Sequence, residues 1–224
     1  MVPGAQVWTN GMDPVAGGYR VLPDGCMDLL WVGGELLVAG PDRRAYLVAA
    51  RAPRRYTGLR FPPGVAPAVL GVAADELRDQ RVALDQLWPA ARVRELTGRL
   101  AEAEAPGRVL EEWALRAGAA TPDRWGGLVV AGLRAGLTVA ELADQVGLGA
   151  RQLHRRSLLA FGYGPKTLGR ILRFDRAVAL ARAGVPFAAV AAEAGYADQP
   201  HLAREVRSLA GVGLGQLVGS FSGA

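Results

Sequence analysis

Two short stretches near the C-terminal end set guanidinium, amide and imidazole groups at helical spacing. In RQLHRR, Arg151, Gln152, His154 and Arg155 cluster within about one helical turn, with Arg156 directly after them. In DQPHLAREVR, Gln199, His201, Arg204 and Arg207 repeat the plan. Arginine pairs bidentately with guanine, glutamine matches adenine, and both reach phosphates, so helix faces carrying them suit the major groove of a duplex. Competing chemistries find little material. The chain has 2 histidines, His154 and His201, and none before residue 122. A metal-dependent enzyme in the N-terminal half would need several imidazoles there, and a Ser-His-Asp arrangement would need one. The single cysteine, Cys26, excludes an internal disulfide and a multi-cysteine zinc site. The expectation is a protein that is not an enzyme, with no metal and no cofactor.

Each basic stretch sits on an element built to hold it. Thr138 is placed to cap a helix, with Glu141 three residues on as its capping-box partner. Val139, Leu142, Ala143 and Val146 then face a core. Gly147-Leu148-Gly149 forms a turn, and the spacing predicts a second helix over 150–161 with Leu153 inward. The plan recurs with Val190, Ala191 and Ala194 inside and a turn at Gly195-Tyr196-Ala197. Asp198 is the next N-cap, and Pro200 lies in a first turn where its missing N–H costs nothing. Leu202, Val206 and Leu209 line the inner face of this helix, 199–210. Between the units, residues 165–183 form one long helix with Leu168, Ile171, Leu172, Ala179 and Leu180 as core positions.

These two units, with LADQVGL, RQLHRR, FGYGPK and GYADQPHLAREVRSLAG at this spacing, resemble the paired helix-turn-helix domain of the AraC/XylS family of bacterial transcription regulators. The resemblance covers residues 138–211. It implies an all-α DNA-binding domain whose two recognition helices enter successive major-groove segments about one helical turn apart. By position in the motif, Arg151, Gln152, His154 and Arg155 read bases in one segment, and Gln199, His201 and Arg204 in the next. Arg156, Arg173 and Arg207 are assigned to phosphates. Ser157 stands where the family usually has a large apolar residue, and Val206 replaces an aromatic one. Leu214 and Val218 replace a usual proline and a usual basic residue, which removes one expected phosphate contact.

The charge distribution agrees. Residues 122–224 hold 12 Lys and Arg against 7 Asp and Glu, while residues 1–121 hold 14 against 14. The whole net charge of +5 therefore lies with the helix-turn-helix half, the asymmetry of a nucleic-acid-binding domain joined to a neutral module. With 224 residues, half of them hydrophobic, the chain can bury two cores. It contains no apolar run of membrane-spanning length and opens with no signal sequence, so a cytoplasmic, nucleoid-associated protein is expected.

Residues 1–72 read differently. Short Val-, Leu-, Trp- and Tyr-rich runs are broken by Pro23-Asp24-Gly25 and Gly33-Gly34, the latter suited to a two-residue hairpin. Pieces at 54–61 and 68–72 continue the sheet, and helices follow at 74–80, from Pro89 to about 105, and at 108–117. The fold class is α+β: a small antiparallel β-sandwich or half-barrel with trailing helices over 1–118, then an all-α domain over 119–224 opening with a helix at 124–135. The boundary falls in Gly118–Pro122. PDGCMDLLW, VAGPD, FPPGVAP and LGVAADELRDQRVALDQLW are similar to an uncharacterised sensor-type domain found on some AraC-like regulators. That similarity implies a cupin-like fold, and it brings no ligand with it. Trp31, Tyr19, Tyr46 and Tyr56 are the aromatic candidates for an apolar ligand pocket, and Cys26 reads better as a buried small side chain than as a thiol sensor.

The partners this reading implies are double-stranded promoter DNA, a small-molecule effector, a second copy in a homodimer and, for an activator, RNA polymerase; no membrane is involved. Two rival readings remain open. One is a small-molecule-binding or enzymatic β domain with a degenerate helix-turn-helix tail. The other is an architectural protein that binds any duplex alike.

Overall fold

The computed structural model describes residues 4–12, 19–48, 54–117 and 124–219. The expected domain boundary at Gly118–Pro122 lies outside them. Strands β1 (Gln6–Met12), β3 (Met27–Val32), β4 (Glu35–Ala39), β6 (Arg54–Phe61) and β7 (Arg81–Ala83) form an antiparallel sheet in the order β1-β6-β3-β4-β7. Strands β2 (Tyr19–Val21) and β5 (Tyr46–Val48) pair separately. Gly33 and Gly34 both take positive φ, 59° and 86°, and join β3 to β4 with Val32 opposite Glu35. That is the two-residue hairpin turn that only glycine-like residues adopt cheaply.

Alternation along the strands decides which face is filled. Met27, Leu29 and Trp31 pair with Phe61, Leu59 and Thr57 and meet the helices that follow. The opposite face carries Asp28, Arg60 and Trp8. Trp8 lies across Gly58, where any Cβ would stand 2.3 Å from its ring, and donates its indole N–H to Asp28 at 2.9 Å.

Helices α1 (Ala66–Leu70), α2 (Ala90–Glu102) and α3 (Pro106–Arg116) complete this half. Leu96, Leu100, Leu110, Trp113 and Ala114 bury as their spacing predicts. Three expectations change. Residues 68–72 do not continue the sheet; most of them belong to α1, which opens with Pro67 in its first turn and ends at Gly71 in the left-handed region, φ 73°. The segment expected as a helix at 74–80 is a shorter 3₁₀ turn, Ala74–Leu77, because Arg78 is already extended. The chain then enters β7, a strand of three half-buried residues too short to announce itself by alternation.

The C-terminal half is α4 (Arg124–Arg134), α5 (Val139–Gln145), α6 (Ala150–Phe161), α7 (Pro165–Arg182), α8 (Phe187–Glu193), α9 (Gln199–Ala210) and α10 (Leu214–Gly219). The capping box is present: the Thr138 N–H and hydroxyl donate to Glu141, each at 2.8 Å, and the Glu141 N–H donates back at 3.3 Å. These bonds hold the Glu141 carboxyl below the usual carboxylate range. Along α7 the buried face serves two cores in turn. Leu168, Ile171 and Leu172 join α4, α5 and α6, while Phe174, Ala177, Val178 and Ala181 join α8, α9 and α10. Ala179, expected in the core, is exposed, because the apolar stripe shifts where α7 changes partner.

The sheet half grips both helix-turn-helix units. The 3₁₀ turn packs on α6, and Arg78 donates to the carbonyl of Gly162, just past its end, at 2.9 Å. The N–H of Ala45 donates to the carbonyl of Leu209, at the end of α9, at 2.6 Å. Carbonyls at a helix C-terminus lack intrahelical partners, so these bonds satisfy groups that need them.

Candidate nucleic-acid interface

The helices α6 and α9 are the second members of two helix-turn-helix units, held by opposite ends of α7. Each starts from a defined cap. Gly149 precedes α6, and the Gln152 side chain accepts its N–H at 3.2 Å. Asp198 precedes α9 and accepts the N–H of His201 at 2.6 Å. Gly147 and Gly195 turn the chain between helices with φ of 66° and 79°. Leu153 and Phe161 anchor α6 inward, and Leu202, Val206 and Leu209 anchor α9.

What remains outside sorts the candidate residues. Arg151 and Arg155 on α6 and Gln199, Arg204 and Arg207 on α9 are exposed, with no intramolecular bond among the described residues. The others touch neighbouring parts of the fold. Gln152 caps its own helix through Oε1. The His154 imidazole lies against Gly164, where a Cβ would stand 2.5 Å from Cε1. His201 turns back over the preceding turn: its Nδ1 accepts from the Ala197 N–H at 3.4 Å, and its ring meets Tyr196 edge-on with centroids 5.2 Å apart. Arg156 lies over the Trp125 ring at 4.4 Å, and Arg173 over the Tyr196 ring at 5.1 Å. These stacked cations hold α6 to α4 and α7 to the second turn.

One arrangement was not foreseen from the sequence. Arg170 of α7 donates from Nε and Nη2 to Glu205 of α9, at 2.9 and 3.0 Å. The bonds hold the Glu205 carboxyl below the usual carboxylate range. A carboxylate on a DNA-facing helix would repel phosphates; here a bidentate guanidinium neutralises it and ties the helix to the linker. The available signal was Glu205 itself, an acidic residue between Arg204 and Arg207.

Ser157 is fully buried, as its place in the repeat predicts, and its hydroxyl has no hydrogen-bond partner among the described residues. A buried unpaired hydroxyl costs its full desolvation without return. Ser157→Ala is therefore expected to raise stability by up to ~1 kcal/mol. Urea unfolding of the two proteins checks this, and a clear loss of stability in the variant would mean the hydroxyl is bonded after all.

In the sheet half the four aromatic candidates do not converge. Trp31 lies on the face that packs on the helices, while Tyr56, opposite Val32, lies on the other. Tyr19 and Tyr46 sit on the two-stranded sheet, and Arg81 covers the Tyr46 ring at 4.1 Å. Near them, Arg60 is paired with Asp24, and burial, followed by Asp24, pushes the Cys26 thiol up to about 12. At pH 8 almost none of it is thiolate, so iodoacetamide should modify Cys26 more than about tenfold slower than an unstructured peptide thiol, after allowing for intrinsic nucleophilicity. Mass spectrometry of timed aliquots measures this. Labelling at the peptide rate would contradict it.

Comparison with known proteins agrees with this geometry. Residues 142–218 match the model of a helix-turn-helix domain, and residues 5–83 match a domain of unknown function, DUF6597. No curated protein matches the chain. Among solved structures, ToxT from Vibrio cholerae O395 aligns over 98% of this chain and 99% of its own, with a TM-score of 0.56 and 9% identity. A second crystal form of V. cholerae ToxT gives a TM-score of 0.55 at 10% identity, over 98% and 99%. ToxT bound to (E)-4-(8-methylnaphthalen-1-yl)but-3-enoic acid gives 0.51 at 10% identity, over 95% and 99%. At such identities the likeness is one of fold, and it spans both halves.

Proposed function

We propose that this chain, whose residues 142–218 match a helix-turn-helix domain and whose residues 5–83 match DUF6597, is a sequence-specific, non-enzymatic transcription regulator of the AraC type, controlled by a small molecule at its N-terminal half. The division of labour is a sensing half over residues 1–118 and a DNA-binding half over 119–224. Base reading falls to Arg151 and Arg155 in one major-groove segment and to Gln199 and Arg204 in the next, about 34 Å along the duplex. Arg207 takes a phosphate. His201, Arg156 and Arg173 position these helices more than they read DNA, because each rests against an aromatic ring of the fold. Gln152 and His154 are exposed, and Gln152 keeps its amide N–H donors for a base edge. The observation that carries the reading is the pair of recognition helices, each with free arginines on its exposed face, fixed by a single rigid helix.

Small-molecule control is supported by two features. ToxT, with the same overall fold, is found with an unsaturated fatty acid and with a substituted butenoic acid. In this chain the sheet half holds the C-terminal ends of both recognition helices, so a change there reaches both. As partners the reading adds a second copy of the chain and, for an activator, RNA polymerase.

Selection of random duplexes by the purified protein, followed by binding at several salt concentrations, tests the proposal. A motif with two readable segments one turn apart is expected, with preference over scrambled DNA of roughly 10³-fold or more. Equal binding to all duplexes would leave only an architectural protein.

A further inference from the structure

Between the two grips of the sheet half lies an open cleft of about 600 Å³. One wall is the segment before β5, with Arg43 and Arg44; the other is α7 and α9, with Thr167, Arg170 and Ser208. Its carboxylates are spent. Asp79 accepts from Arg43 Nε at 2.6 Å and from the Arg43 N–H at 2.7 Å. Asp42 accepts both ends of Arg81, at 3.0 and 2.5 Å. Arg44 is exposed and has no partner among the described residues. Arg170, about a third exposed, gives Nε and Nη2 to Glu205 and keeps its Nη1 edge unused. The cleft is left with one unpaired guanidinium, Arg44 on the sheet wall, the unused Nη1 edge of Arg170 opposite it, and two hydroxyls.

We propose that this cleft is a binding site for a small anion, a molecule bearing carboxylate or phosphate groups that bridges Arg44 of the sheet half and Arg170 of α7. Guanidinium groups on facing walls suit two anionic oxygens set apart on one molecule, and Thr167 and Ser208 can donate to others. The site does not stand alone. The ligand and Glu205 draw on the same guanidinium, so occupancy weakens the hold of α7 on the second recognition helix. A ligand here touches the sheet half, the linker helix and α9 together. Its effect on DNA rests on the regulator reading; anion binding itself does not.

The test uses the full chain without DNA. Pyrophosphate and citrate are titrated calorimetrically at constant ionic strength into the wild type, Arg44→Ala and Glu205→Gln, with circular dichroism confirming that each is folded. Saturable binding of at least one probe is expected in the wild type. Arg44→Ala should weaken it about tenfold, and Glu205→Gln should tighten it about threefold or more by removing the competitor for Arg170. Opposite responses separate this from damage, which would weaken binding in both variants. No saturable binding, or one affinity in all three proteins, overturns the site. If duplex selection succeeds while neither anion binds, the site falls and the regulator stands; the converse result removes the regulator and keeps the site.

Discussion

The Arg151→Ala/Arg204→Ala double variant is expected to lose most of its preference for the selected duplex while melting at the wild-type temperature. Both side chains are exposed and unpartnered among the described residues, so nothing in the fold depends on them. Each stands on a different recognition helix, and a bidentate arginine–guanine contact is worth about 1–3 kcal/mol of discrimination. Contacts on separate units add nearly independently, which puts the combined loss at about 2–6 kcal/mol, or roughly 30-fold to 10⁴-fold in affinity. Binding to scrambled DNA should fall much less, because on the proposed reading Arg207 and the remaining cations of the C-terminal half supply the sequence-independent attraction to phosphates. Fluorescence anisotropy on both duplexes at one salt concentration gives the ratio. Arg156→Ala is the control: its guanidinium lies on Trp125, so stability should change and sequence preference should not. A double variant with an undiminished ratio would place the reading surface elsewhere.

Gly162→Ala should destabilise the protein by about 2–5 kcal/mol, far more than Gly211→Ala at the equivalent position. Both glycines end a recognition helix in the left-handed region, with φ of 82° and 74°. Alanine costs ~1–2 kcal/mol in that conformation at either site. Only Gly162 is also a contact between the two halves: a Cβ there would stand 2.5 Å from Pro41 Cγ and 3.1 Å from the Ala74 carbonyl oxygen, whereas nothing lies within 4 Å at Gly211. Pro41 and Ala74 are themselves buried and cannot yield without opening the interface. At about 2–4 °C per kcal/mol for a chain of this size, Gly162→Ala should melt roughly 4–20 °C lower. Equal shifts for the two variants would mean that the sheet half does not bear on α6.

The features decided by neighbouring residues were readable from the sequence alone. The Thr138–Glu141 capping box, the Asp198 cap, the Gly33-Gly34 hairpin and the inward Leu153, Leu202 and Val206 all follow from interactions within a turn or two of chain, and the helix-turn-helix repeat is built of little else. Residues 68–72 carry enough apolar character for a strand; most of them lie in a helix instead, with Pro67 in its first turn and Gly71 at its end, local signals that the apolar run outweighed. Features that depend on distant partners were not readable. Ala179 turned outward because α7 changes cores along its length, a fact that periodicity averages away. The His201 ring, tied to the Ala197 N–H four residues back, also meets Tyr196 edge-on, and His154 lies against Gly164 at the start of the next helix. The bond from Arg170 to Glu205 spans 35 positions, and the one from Arg78 to Gly162 spans 84. Sequence spacing carries no record of such pairs, since each forms only when separately folded elements are brought together. The sequence by itself determined which helices carry basic and amide side chains on one face; the tertiary structure decided how those side chains are held, because one laid on a neighbouring ring or turn, as Arg156 is on Trp125 and His201 on Tyr196, is no longer free to move independently of the fold.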